Sequence, residues 1–214
     1  MFVKERMTSN PICIQKNASL TELTMLMKEN KLKKVPVLDG NKLCGIITHK
    51  HLNQVSPSSA TLLSVYEIGA LLTKMKVKDA MQKEVITCSP DDYIEDAAIK
   101  MRDNRINSLI VIKDDRVVGI ITESDMLDSF IAMLGGREEG NRYIVDSENV
   151  PGALHQLGGI TNELGINMSH FVFTQCTQEG YAELLVRTTK DGRIREVSEA
   201  FKQKGFIVKD ACVK

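Results

Sequence analysis

The pattern of apolar and polar positions repeats within the chain. Residues 43–52 read LCGIITHKHL, and residues 117–126 read VVGIITESDM. Laying residues 3–52 over 77–126, an offset of 74, needs no gap, and 11 of 50 positions are identical. They are Val3/Val77, Lys4/Lys78, Met7/Met81, Ile12/Ile86, Met27/Met101, Asn30/Asn104, Val37/Val111 and the Gly-Ile-Ile-Thr block. Unrelated stretches of ordinary composition would share about three. The chain therefore contains an internal duplication.

Each copy predicts the order β-α-β-β-α. In the second copy a short strand covers Val85–Cys88. Ser89-Pro90-Asp91-Asp92 then reads as a helix start, with Ser as N-cap, Pro in the first turn and acids at the positive helix end. The first copy opens its helix with Ser19-x-x-Glu22, a capping box. Two apolar strands follow, Leu109–Lys113 and Arg116–Ile121, turning on Asp114-Asp115; in the first copy the turn is Asp39-Gly40-Asn41. Strands apolar on both faces predict cover on both sides. A second helix starts at Thr122, or at Thr48.

Between the copies, Leu62, Leu63, Tyr66, Leu71 and Met75 recur at near-helical spacing and predict an amphipathic helix from about 60 to 75. After the second copy, GGREEGN (135–141) reads as a Gly-rich polar linker. The rest has a different order. RYIVDS is a strand; Pro151–Glu163 is a helix closed by Gly165; His170–Gln175 and Tyr181–Thr188 are strands; Ile194–Lys204 is a helix; Phe206–Lys209 is a strand. That order, β-α-β-β-α-β, predicts a ferredoxin-like sandwich. The fold class is thus α+β, with units at 1–55, 56–76 (helical insert), 77–135, 136–141 (linker) and 142–214.

Composition excludes more than it assigns. The 28 basic and 28 acidic residues balance, and they balance by region, so no basic patch marks a nucleic-acid or anionic-membrane surface. No apolar run approaches the ~20 residues of a membrane helix, and the N-terminus has no signal-peptide pattern. The five cysteines form no C-x-x-C pair, which fits reduced thiols in a cytoplasmic protein. His49 and His51, with Cys44, do not read as metal ligands, because i and i+2 diverge on a helix. Phosphate-loop, dinucleotide, zincin and nucleophile-elbow motifs are absent, so neither a catalytic residue nor a required cofactor is expected.

The duplicated unit, with Val-Ile-Thr-Cys-Ser-Pro-Asp-Asp (85–92) and Gly-Ile-Ile-Thr-Glu-Ser-Asp (119–125), resembles the CBS domain, which occurs in pairs. The last unit is similar to the ACT domain through Asp146, Pro151-Gly152-Ala153-Leu154 and Leu164-Gly165-Ile166-Asn167. The domain order and the insert resemble the acetoin-utilisation protein AcuB group. These resemblances imply a non-catalytic, ligand-sensing regulator that acts allosterically on a partner enzyme, possesses a homodimeric assembly and binds an adenosine-containing effector such as AMP, ADP, ATP or S-adenosylmethionine. An amino acid or small metabolite would be a second effector at the ACT unit.

The resemblance assigns Asp125 to ribose, Thr87 and Thr122 to the ligand's flank, and backbone near Ser108, Leu109 and Ile110 to the adenine slot. Lys33 and Lys34 would reach phosphates from the opposite copy. The chemistry is reasonable: a carboxylate accepts from two adjacent hydroxyls, and a helix start offers amides to anions. In the first copy His51 stands where Asp125 is, and Cys13 where Thr87 is; neither replaces a carboxylate or hydroxyl as a diol partner. One adenosine site per chain is expected. Thr122-Glu-Ser-Asp125 also fits a helix cap that needs no ligand. In the last unit the resemblance points to Asn149, Pro151 and Gly152, with Ile166 and Asn167 from a neighbouring subunit, around an amino acid; tight packing at Gly152 is the alternative. Two rival functions stay open: a nucleotide-hydrolysing enzyme, and a structural interaction protein with vestigial ligand sites.

Overall fold

The computed structural model describes residues 1–55, 73–175 and 180–213. It divides into two compact units, Met1–Met126 and Leu127–Lys214. Residues 60–72 of the expected insert helix lie outside the described residues, as does most of the turn before Gly180.

In the first unit each copy builds a small sheet with helices against it. Copy one contains β1 (Thr8–Ser9), β2 (Ile14–Gln15), α1 (Leu20–Glu29), β3 (Lys34–Asp39), β4 (Lys42–Thr48) and α2 (His49–Val55). Copy two contains α3 (Val77–Ala80), β5 (Thr87–Cys88), α4 (Ile94–Asp103), β6 (Ser108–Lys113), β7 (Arg116–Thr122) and α5 (Glu123–Met133), which runs past the unit boundary at Met126. In each, a parallel pair (β2–β3, β5–β6) joins an antiparallel hairpin. The hairpin turns at Asp114 and Asp115, whose φ of 50° and 60° is the left-handed region that Asp tolerates.

The capping box at α1 forms as expected: the Glu22 amide donates to Ser19 Oγ (3.1 Å) and the Ser19 amide donates to Glu22 Oε2 (2.6 Å). The expectation at Ser89 does not hold. The N-cap of α4 is Tyr93, and α4 starts at Ile94. Ser89–Asp92 instead forms a closed turn, with the Ser89 amide donating to Asp92 Oδ2 (3.1 Å) and the Asp91 amide to Ser89 Oγ (3.2 Å). Short polar side chains here bond the backbone of a turn rather than a helix end.

The leading segments of the two copies are exchanged. β1 pairs antiparallel with β7, giving the order β1-β7-β6-β5. The Val3 and Lys4 amides donate to the carbonyls of Asp92 (2.9 Å) and Pro90 (3.0 Å). Val3 is fully buried among Cys88, Ala97, Met101, Leu109, Val111 and Ile121 of copy two. Reciprocally, Val77 is fully buried among Leu20, Leu23, Val35, Val37 and Ile47 of copy one. Gln82 exchanges backbone bonds of 2.9 Å with Ile46. Burying either valine contributes about 1.5–3 kcal/mol.

The exchange explains the glycine of each Gly-Ile-Ile-Thr block. A Cβ on Gly119 would strike the Met7 thioether, and one on Gly45 would lie 2.5 Å from Met81 Sδ and 2.9 Å from the Gln82 carbonyl oxygen. Each glycine makes room for the methionine of the other copy's leader.

The second unit contains β8 (Asn141–Glu148), α6 (Ala153–Glu163), β9 (Met168–Gln175), β10 (Tyr181–Thr188), α7 (Ile194–Gln203) and β11 (Ile207–Val213). Its sheet is antiparallel throughout, in the order β11-β8-β10-β9. Tyr143, Val145, Leu184 and Val186 from the sheet meet Leu157, Ile160, Val197 and Phe201 from the helices. Gly165 closes α6 in the left-handed region, at φ 64°, with the Ile166 amide on the Thr161 carbonyl (2.8 Å) and the Gly165 amide on Asn162 (3.0 Å).

Candidate functional site

The strand register gathers most of the expected copy-two residues. Thr87 lies beside Ile110 across the parallel pair, and Ser108 lies opposite Thr122. Leu109 packs into the copy-two core, whereas Ile110, equally buried, alternates to the other sheet face. Ser108 is buried and Thr87 half-buried. With its side chain in the core, Leu109 presents only backbone on the other face.

Thr122 and Asp125 form a tight local constellation at the start of α5. The Thr122 amide donates to Asp125 Oδ2 (2.7 Å), and the Thr122 hydroxyl donates to the same oxygen (2.8 Å). The Asp125 amide approaches Thr122 Oγ1 (3.4 Å). The carboxylate thus serves as a cap, held half-buried in one orientation.

Lys34 crosses from copy one. Its ammonium donates to Asn107 Oδ1 (2.7 Å) and approaches the Asn107 carbonyl (3.4 Å), which also accepts from the Glu123 amide (3.2 Å) at the start of α5. Loss of water lowers the Lys34 pKa; the Glu123 charge opposes this and Lys33 adds to it. Lys33 is exposed, and its carbonyl accepts from the His49 amide (3.3 Å). Asn107 was not among the expected residues. The repeat register could have found it, since Asn107 is the offset partner of Lys33.

Copy one differs where its sequence differs. The His51 amide approaches Thr48 Oγ1 (3.4 Å), in the manner of Asp125. The imidazole makes no bond back to the cap as the carboxylate does, and His51 Nδ1 is buried without a hydrogen-bond partner among the described residues. Cys13 Sγ donates to the Pro11 carbonyl (3.2 Å), and burial raises its pKa.

In the second unit Asn149, Pro151 and Gly152 lie on one exposed loop, with the Asn149 amide on the Gly180 carbonyl (2.8 Å). Pro151 and Gly152 precede α6 rather than belonging to it; Gly152 is the N-cap, at φ 94°. A Cβ there meets nothing within 4 Å, so the backbone angle, not packing, calls for glycine. Ile166 is a core residue, and Asn167 is exposed at the far end of α6. An 11-residue helix spans about 16 Å, so one chain does not bring Asn167 to Gly152. Asp146, buried at the end of β8, pairs with Lys209 (2.8 Å), which also pairs with Glu183 (3.1 Å).

Among the described residues no group of three or more His, Cys, Asp or Glu is placed to hold a metal. Nor is any described helix long and apolar enough to cross a membrane.

Comparison with known proteins places the paired architecture. The CBS domain profile matches residues 3–57 and 77–132. An uncharacterised protein of Methanocaldococcus jannaschii, MJ1426, is 32% identical over 155 residues, which cover 61% of this chain and 92% of that one. Several longer relatives are matched over only 22–36% of their length, so the likeness there is to the paired domain and not to the whole proteins. Among solved structures, a Vibrio cholerae protein named for acetoin utilization (AcuB) is 28% identical with a TM-score of 0.53, over 64% of this chain and 95% of that one. The CBS domain pair of protein MJ0100, in complex with 5′-methylthioadenosine and S-adenosyl-L-methionine, is 27% identical with a TM-score of 0.50, over 64% of this chain and 98% of that one. With two matches that together take in more than half its residues, and a β-α-β-β-α order in each, the chain belongs to the CBS-domain family and carries the domain as a tandem pair.

Proposed function

We propose that the chain is a non-catalytic sensor that binds one adenosine-containing ligand on the copy-two side of its CBS pair and thereby alters a partner enzyme. The observation that carries this reading is the asymmetry between equivalent positions. Copy two holds a half-buried carboxylate at Asp125, with Thr87, Ser108 and Thr122 on adjoining strand ends. Copy one holds an imidazole and a thiol at the positions of Asp125 and Thr87. Asp125 would accept from the ribose hydroxyls, Thr87 and Thr122 would flank the nucleoside, backbone at Ser108, Leu109 and Ile110 would line the adenine, and Lys33 and Lys34 would meet phosphate. The adenosyl ligands of the MJ0100 pair support the ligand class.

The last unit we read as a ferredoxin-like ACT domain, on its β-α-β-β-α-β order and β11-β8-β10-β9 sheet. The units are then 1–55, 77–135 and 142–214, joined by the insert 56–76 and the segment 136–141. An amino acid or small metabolite would sit against Asn149, Pro151 and Gly152 of one chain and Ile166–Asn167 backbone of a second, which makes the working form a homodimer. A cytoplasmic place and a role in acetoin utilisation complete the reading.

One observation favours a second reading, a scaffold with vestigial sites: both bonds seen at Asp125 Oδ2 already serve the cap. Calorimetric titration of AMP, ADP, ATP and S-adenosylmethionine into wild type and Asp125→Asn separates the two. The sensor reading expects binding by at least one of them, weakened in the variant. Heatless titrations with all four leave the scaffold.

A further inference from the structure

The segment between α5 and β8 does not hang free. α5 ends with the Gly135 amide on the Ala132 carbonyl (3.0 Å) and the Gly136 amide on Ile131 (2.7 Å), a closed helix stop with Gly135 at φ 60°. The chain then crosses β9 and β10. His170 and Arg187 are cross-strand partners there. Leu184 and Val186 alternate toward the helices, so Arg187 lies on the sheet face away from them. His170 packs so closely on Gly135 that a Cβ there would lie 2.6 Å from its Nδ1.

Neither side chain on this face has a hydrogen bond to a charged partner among the described residues. Arg187 is only 2% exposed, yet its bond goes to a neutral group, the Glu138 carbonyl (2.6 Å). It makes no ion pair among the described residues. His170 Nδ1 is buried without a hydrogen bond, and the Glu138 carboxylate stands 3.5 Å from it. A buried guanidinium without a counter-charge is costly, and a planar carboxylate is its best-matched partner. The remaining charges of this segment are already paired, Glu139 with Lys190 (3.3 Å) and Arg137 with Asp128 (2.9 Å).

We propose that His170 and Arg187 form an anion site for a small carboxylate, which the Glu138 side chain partly fills in cis. An incoming carboxylate accepts from the guanidinium and, with the proton on Nδ1, from His170, and displaces Glu138. Residues 135–140 then lose their hold on β9 and β10. This site is separate from the Gly152 loop and does not depend on the adenosine reading.

The test is an amide NMR titration of the full chain with sodium acetate, referenced to sodium chloride at equal ionic strength. It compares wild type, Glu138→Gln and His170→Gln. The Glu138 side chain is exposed, so the first variant keeps the fold. Acetate should shift the signals of residues 135–140, His170 and Arg187 saturably. Glu138→Gln should bind about tenfold more tightly, because a tethered competitor is gone, and His170→Gln more weakly than wild type. Equal responses to acetate and chloride, or a Glu138→Gln variant that binds no more tightly, would overturn the proposal.

Discussion

Asp125 caps α5 in the structure and is the proposed ribose contact, and a pair of substitutions can separate the two. As a cap it accepts from Thr122, and Asp125→Ala should cost about 1 kcal/mol of stability. Asp125→Asn keeps one acceptor oxygen and should lose less. A ribose contact needs the charge and the second oxygen, and hydrogen bonds to a charged group are worth about 1.5–3 kcal/mol. Asp125→Asn should therefore weaken nucleotide binding by about tenfold or more while its thermal midpoint stays close to wild type. A variant that loses the midpoint but keeps the affinity would make Asp125 a cap alone. Burial also sets the chemistry of Cys88, whose pKa is pushed up to about 11. An acid held neutral in the fold binds its proton more tightly there than when unfolded. Stability should accordingly fall as pH rises from about 9 toward 11, and a Cys88→Ala variant should lack that slope in denaturant titrations at stepped pH. At this scale the sequence showed the residue types well. Thr87, Ser108, Thr122 and Asp125 stand on adjoining strand and helix ends, because a repeated register fixes them. Asn107 has no local signal, because its contact is with a lysine 73 positions away; only the repeat offset, which sets it against Lys33, points to it.

Periodicity and cap chemistry made most elements readable. The hairpins, the capping box at Ser19 and the β-α-β-β-α-β order of the last unit follow from local rules. Ser89 misled because its turn is locked by Asp92 and its carbonyl neighbours are occupied by the leader of copy one. That exchange could not be read from the chain: Val3 and Val77 align as equivalents whichever copy they pack against. It makes a sharp prediction. Gly119→Ala should destabilise the fold by about 1–3 kcal/mol through overpacking, and Met7→Ala in the same chain should recover part of the loss, giving a measurable coupling in a double-mutant cycle. Gly45→Ala should be less completely rescued by Met81→Ala, because the Gln82 carbonyl also stands in the way. Additive effects of Gly119→Ala and Met7→Ala would contradict the exchange. Gly158 and Gly159 are the opposite case. Both lie inside α6, and a Cβ on either meets nothing within 4 Å. Alanine at each should stabilise the chain by up to about 1 kcal/mol, read as a raised denaturation midpoint.

For the molecule as a whole, duplication creates two equivalent positions and divergence separates them. Restoring the carboxylate and hydroxyl in copy one, with His51→Asp and Cys13→Thr together, should raise nucleotide stoichiometry toward two per chain. It should also give α2 the acid that Asp125 gives α5. Wild type is expected to keep a single anchored site, which calorimetric titration with the tightest of AMP, ADP, ATP and S-adenosylmethionine reads out. One equivalent per chain is expected, with heat that is lost or strongly weakened in Asp125→Asn. Two equivalents of equal affinity, or binding indifferent to Asp125, would contradict it.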